Sequence, residues 1–65
     1  MKVAFTNGYP AVGHERIHEV IEMEHAPAIG DRVSFDQGDG DYTVMNRTWN
    51  LRPGEGQPDA WVTVE

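Results

Sequence analysis

Turn-forming residues divide this chain into short segments, and that division decides what it can fold into. Glycine, proline, asparagine and aspartate are concentrated at Asn7-Gly8 and in the stretches 26–31, 36–41 and 52–59. Most segments between them carry β-branched and aromatic residues with a period of two, which is typical of strands with one buried face. A protein made of short strands is therefore expected.

Four of these segments are predicted to be strands. They are Lys2–Thr6, a strand that begins near Val33, Tyr42–Leu51 and Ala60–Glu65. In the last of them alternate residues should point inward, namely Ala60, Val62 and Val64, whereas Trp61 and Thr63 should point outward.

The segment 14–25 fits either a strand or a helix. Its glutamate content favours a helix, but a helical wheel places Glu24 among the apolar residues. A period of two instead puts Ile17, Ile21 and Met23 on one face. We prefer the strand and keep the helix as the alternative.

Together these segments predict a mostly β protein, a small antiparallel meander curled into a half-open barrel. Residues 1–65 should form a single domain. A small barrel leaves strand edges unpaired, and the first and last strands have few charges to protect them. We therefore expect a homodimer that covers Lys2–Thr6 or Ala60–Glu65.

The corner before the third strand carries a recognisable pattern. Pro27, Gly30, Asp31 and Val33 give the spacing P-x-x-G-D-x-V. This pattern resembles a corner found in many small SH3-like barrels. The resemblance implies an SH3-like fold and carries no function with it.

The charge of the chain limits its partners. Eleven acidic and five basic residues give a formal net charge of −6, which repels phosphate backbones and favours a protein partner with a basic surface. We expect Glu22 and Glu24 to face that partner and expect no direct nucleic-acid binding. The chain has no cysteine, which is compatible with a reducing compartment. With no apolar leader and no membrane-length stretch, we expect a cytoplasmic protein with no membrane contact.

Residues 14–18 spell H-E-x-x-H, the spacing at which a helix presents two zinc-binding imidazoles one turn apart. The pattern resembles the zincin metallopeptidases. That resemblance implies zinc ligation by His14 and His18, and a general base at Glu15. His25 is a further candidate for a non-catalytic metal site.

Other residues oppose this metal site. Arg16 and Glu19 are charged where the zincins keep uncharged residues. On a strand, His14 and His18 would lie about 13 Å apart, too far for one zinc ion. We therefore predict no catalytic residue, no metal and no cofactor, and keep a metal-binding protein or minimal zinc hydrolase as the alternative.

The best candidates for a binding surface are Trp49, Trp61 and Arg47, because Trp and Arg dominate interface hot spots and Arg47 can stack on either ring. At least one Trp is expected in the core, whereas the binding hypothesis requires an exposed aromatic side chain. We predict a non-enzymatic acidic protein-interaction module, with a phage or mobile-element inhibitor of a host protein as the working hypothesis. A small-ligand site at a subunit interface is a further alternative, formed by Arg47, Arg52, Tyr42 and Trp49.

Overall fold

The computed structural model describes residues 1–7, 16–35 and 41–65, with the side chains of 16–18 left out. The strands are β1 (Lys2–Asn7), β2 (Arg16–Glu22), β3 (Arg32–Val33), β4 (Tyr42–Trp49) and β5 (Ala60–Val64). These strands confirm the prediction of a mostly β protein. Within the described ranges, no helix is long and apolar enough to cross a membrane.

The ambiguous segment forms a strand where it is described. β2 covers residues 16–22, so the helical alternative for 14–25 is wrong over this part. Ile21 and Met23 pack against the core, whereas Val20 is exposed, as the period of two predicts. Residues 14 and 15 lie outside the described residues.

The strands form one mixed sheet in the order β2-β1-β5-β4-β3, curled into a half-barrel. The half-open barrel is confirmed, and its likeness to SH3 barrels stays a prediction. The sheet is not a purely antiparallel meander, because β1 and β5 pair in parallel. These two strands are central because they contribute most of the buried residues, and a central strand is shielded by a neighbour on each side.

The strand order also shows that our prediction of the free edges was wrong. Lys2–Thr6 and Ala60–Glu65 belong to the central strands β1 and β5, so neither is open to a partner. Among the described strands, the edges are β2 on one side and β3 on the other. β3 pairs with Tyr42 and Thr43, so no described strand adjoins most of β4 on that side.

The core lies on one face of the sheet and consists mainly of valine and alanine. Its buried members are Val3, Phe5, Ala26, Val44, Ala60, Val62 and Val64. The inward direction predicted for alternate residues of β5 is confirmed. Phe35 packs edge-on against the Phe5 and Tyr42 rings, at centroid distances of 5.2 and 5.4 Å. Neither Trp belongs to this core, which contradicts our expectation for one of them.

The corner at residues 26–31 joins the two edges of the sheet across the core. Gly30 has a φ of +94°, a left-handed conformation that residues with a Cβ rarely adopt. Its N–H donates to the Val44 carbonyl at 2.8 Å, and the Val44 N–H donates to the Asp31 carbonyl at 2.8 Å. The Asp31 carboxylate accepts from the Ala28 N–H at 2.9 Å and closes the turn.

A β-bulge in β4 changes which face its residues occupy. Val44 pairs with Val64, but the next pair is Asn46 with Thr63, so Met45 is the extra residue. Past the bulge, Arg47 and Trp49 therefore lie on the core side of the sheet instead of the opposite side.

Candidate functional site

The sheet face opposite the core, called the outer face here, carries an aromatic side chain whose nearest cross-strand neighbours are uncharged. Trp61 of β5 lies beside Ala4 of β1 and Thr48 of β4, and Ala4 in turn lies beside Val20 of β2. Ala4 is buried although it does not belong to the core cluster. Side chains on the outer face therefore cover it.

Trp61 is half-buried at an open groove of about 280 Å³. The groove is lined by Thr6, Thr48, Trp61 and Thr63. The Thr6 and Thr63 hydroxyl oxygens lie 3.5 Å apart. The groove thus combines an apolar ring with hydroxyls that can donate or accept, and none of the described residues that line it is charged.

An acidic edge borders the outer face. Glu19, Glu22 and Glu24 are exposed on or just after β2, the edge strand. Glu22 pairs with Lys2, two residues before Ala4, so it shares a face with Trp61. Two strand spacings separate β2 from β5, about 10 Å. One protein partner could contact both the acidic edge and Trp61.

The Glu22 carboxylate already has one intramolecular partner. The Met1 amino group donates to its Oε1 atom at 3.2 Å and to the Met23 carbonyl at 2.7 Å. The Glu22 side chain is nevertheless 73% exposed, so it remains accessible to a partner.

Arg47 and Trp49 lie on the other side of the sheet. They pair with Val62 and Ala60, both core residues. The Arg47 guanidinium carbon lies 5.2 Å from the centre of the Trp49 ring. The Nη1 atom of Arg47 donates to the Pro27 carbonyl at 3.4 Å. The structure therefore separates the predicted set: Arg47 stacks on Trp49, whereas Trp61 lies on the opposite face.

The described residues do not assemble the metal site suggested by H-E-x-x-H. His14 and Glu15 lie outside the described ranges, and the backbone of His18 is in β2, where it is the extra residue of a bulge. His25 is exposed beyond the strand. Over the three described ranges, no group of three His, Asp or Glu side chains could hold a metal ion.

The proposed small-ligand residues do not converge within one chain. Tyr42 and Trp49 are at opposite ends of β4, seven residue steps or about 23 Å apart. The Tyr42 ring packs against Phe35. Arg52 is exposed in the loop after β4.

Sequence reasoning missed the threonines that line the groove. Thr63 was expected to point outward, but the positions of Thr6 and Thr48 beside Trp61 depend on strand order. The only available signal was the outward position of Trp61 itself. Comparison with protein families, with curated proteins and with solved structures finds no match for this chain.

Proposed function

We propose that this protein is a non-enzymatic, acidic protein-interaction module. It binds a protein with a basic surface through the outer face of its sheet. The observation that carries the proposal is the half-buried Trp61 in a threonine-lined groove on the same face as Glu22.

Trp61 is suited to be the anchor of such an interface. Its ring is partly fixed by the neighbouring strands, so it loses little conformational freedom on binding. None of the described residues that line the groove is charged, so covering them does not require the desolvation of an ion. The threonine hydroxyls can exchange hydrogen bonds with water for hydrogen bonds with the partner.

The acidic edge serves a different purpose. Exposed rim charges contribute little to affinity but increase the rate at which an oppositely charged partner arrives. Glu22 and Glu24, in a chain of net charge −6, would steer a basic surface towards the outer face.

The proposal extends to the setting in which the protein acts. The absence of cysteine fits the cytoplasm. Small acidic domains are common among phage and mobile-element inhibitors of host enzymes. This analogy supports inhibition of a host protein as the specific role.

The two tryptophans provide a matched test of the binding face. Trp61→Ala should abolish capture of a protein from a host lysate, whereas Trp49→Ala, on the opposite face, should capture the same protein as the wild type. Circular dichroism confirms that each variant is folded before its binding is measured. Equal capture by folded Trp61→Ala and Trp49→Ala proteins, or capture of no specific protein by the wild type, would refute the proposed face.

A further inference from the structure

Over the part of the chain that the structure describes, β4 has a long edge with no neighbouring strand. β3 pairs with Tyr42 and Thr43 only, and Val44 bonds to the corner at residues 30–31. From Met45 to Trp49, no strand of the described ranges adjoins β4 on this side. Such an edge is a template for pairing with another strand.

The ladder with β5 fixes which backbone groups point to this edge. The Asn50 N–H donates to the Asp59 carbonyl at 2.9 Å. Because the direction alternates along an antiparallel strand, Thr48 and Asn46 also face β5, whereas Arg47 and Trp49 face away. The Arg47 N–H donates to the Asn46 side-chain oxygen at 2.9 Å, and pairing with another strand at this edge requires that local hydrogen bond to be exchanged for one to the paired strand. The backbone N–H and C=O of Trp49 therefore point to the open edge.

The side chains along this edge are largely apolar and exposed. The exposed fractions are 46% for Met45, 45% for Trp49 and 88% for Leu51. Arg47 lies between Met45 and Trp49. We call these four alternate residues the β4 strip.

The charge distribution favours a second copy of the chain at this edge. Residues 42–54 contain no acidic residue, although the chain has eleven. Two copies would repel each other at β2, where Glu19, Glu22 and Glu24 are exposed. At the β4 strip this repulsion between acidic chains is weakest.

We infer that the protein forms a homodimer in which the β4 strands of two copies pair antiparallel around a twofold axis at Thr48. This register brings Arg47 opposite the partner's Trp49, and the reverse pair follows by symmetry. Each guanidinium then lies near two indole rings. The same pairing places Met45, at one end of the strip, opposite Leu51 at the other end of the partner's strip, so each covers the other.

The interface is small. Pairing over a few residues buries less than the roughly 800 Å² per partner of a standard interface. The dimer is therefore reversible and dissociates on dilution.

Cysteine substitution tests the register directly, because the chain has no cysteine of its own. In the proposed register, the two copies of Thr48 form a pair without backbone hydrogen bonds, with Cα atoms about 4.5 Å apart, within the range of a disulfide. In this register, Asn46 faces a position of the partner strand that is four residues from the partner's own Asn46. The Cα atoms of the two Asn46 copies are therefore about 14 Å apart. Thr48→Cys should therefore cross-link into a dimer under mild oxidation, and Asn46→Cys should not. Absence of cross-linking in Thr48→Cys, or equal cross-linking in both variants, would overturn this arrangement.

A charge placed on β4 or on the edge strand β2 tests the location of the dimer interface independently. Trp49→Lys and Val20→Lys add the same charge at positions of similar exposure, 45% and 52%. Sedimentation equilibrium at high micromolar concentration should give dimers for the wild type and Val20→Lys, and monomers for Trp49→Lys. A monomeric wild type, or a dimeric and folded Trp49→Lys protein, would contradict the inference.

Discussion

At the scale of single residues, Met45 decides where the aromatic side chain of Trp49 lies. Trp49 is five positions after the buried Val44, so in a regular strand it would face the outer side. The bulge adds Met45 and moves both Arg47 and Trp49 to the core side. A period of two read from the sequence cannot show this change, because nothing local marks the bulge.

A second decisive residue is Gly30, whose left-handed backbone lets the corner bond to Val44. Gly30→Ala should destabilise the protein by about 1–2 kcal/mol, because a Cβ is strained at this φ even though the space around it is open. Urea denaturation measures the change.

Gly54→Ala is the matched control for this substitution. Its added Cβ would meet only the flexible Gln57 side chain, at 3.4 Å. We expect a change of at most about 0.5 kcal/mol. A similar loss of stability in both variants would show that the conformation of Gly30 is not the cause.

At the scale of strands, the sequence predicted the elements better than their arrangement. The limits of β1 and β5 follow from turn residues and alternation, which are local properties. The parallel pairing of β1 with β5 is not local, since it depends on which strands bury most apolar surface together. The candidate site shows the same limit of sequence-based prediction. Trp61 and Glu22 were predicted as binding residues, but the positions of Thr6 and Thr48 in the groove depend on how the strands pair.

Asp59 holds the start of the parallel pair. Its carboxylate accepts from the Lys2 N–H at 2.7 Å, and its own N–H donates to the Lys2 carbonyl at 2.8 Å. Asp59→Ala should lower the free energy of unfolding by about 1 kcal/mol, because the Lys2 N–H loses its acceptor. Asp59→Asn keeps an acceptor oxygen, so its free energy of unfolding should fall by less in the same denaturation experiment. Equal losses would mean that the hydrogen bond to Lys2 does not matter.

The acidic edge strand supports a kinetic prediction. Glu22→Lys combined with Glu24→Lys should slow association with the captured partner and weaken its dependence on salt, with little effect on dissociation. Surface plasmon resonance at several salt concentrations measures both rates.

The control for this experiment changes the net charge equally at other exposed positions. Asp41→Lys combined with Glu55→Lys makes the same change away from β2. If steering depends on the edge strand, this control should slow association less. Identical rates for the two double variants would mean that only net charge matters.

At the scale of the whole molecule, the small core makes stability sensitive to assembly. Valine and alanine supply most of its buried members, and each contributes less apolar surface than a leucine or phenylalanine. A chain of 65 residues also buries a smaller share of its surface than a larger domain. Even the small area covered by a second copy paired at β4 would therefore have a measurable effect on the stability of the folded state.

This dependence predicts a melting temperature that rises with protein concentration. Dimerisation stabilises the folded state by mass action, and in a chain this short even about 1 kcal/mol shifts the melting temperature by several degrees. Differential scanning calorimetry from low to high micromolar concentration should show such a rise for the wild type and for Val20→Lys. The melting temperature of Trp49→Lys should stay constant, because its charged side chain prevents pairing at the β4 strip. A constant melting temperature in all three proteins would leave the isolated chain as the stable unit and contradict the dimer.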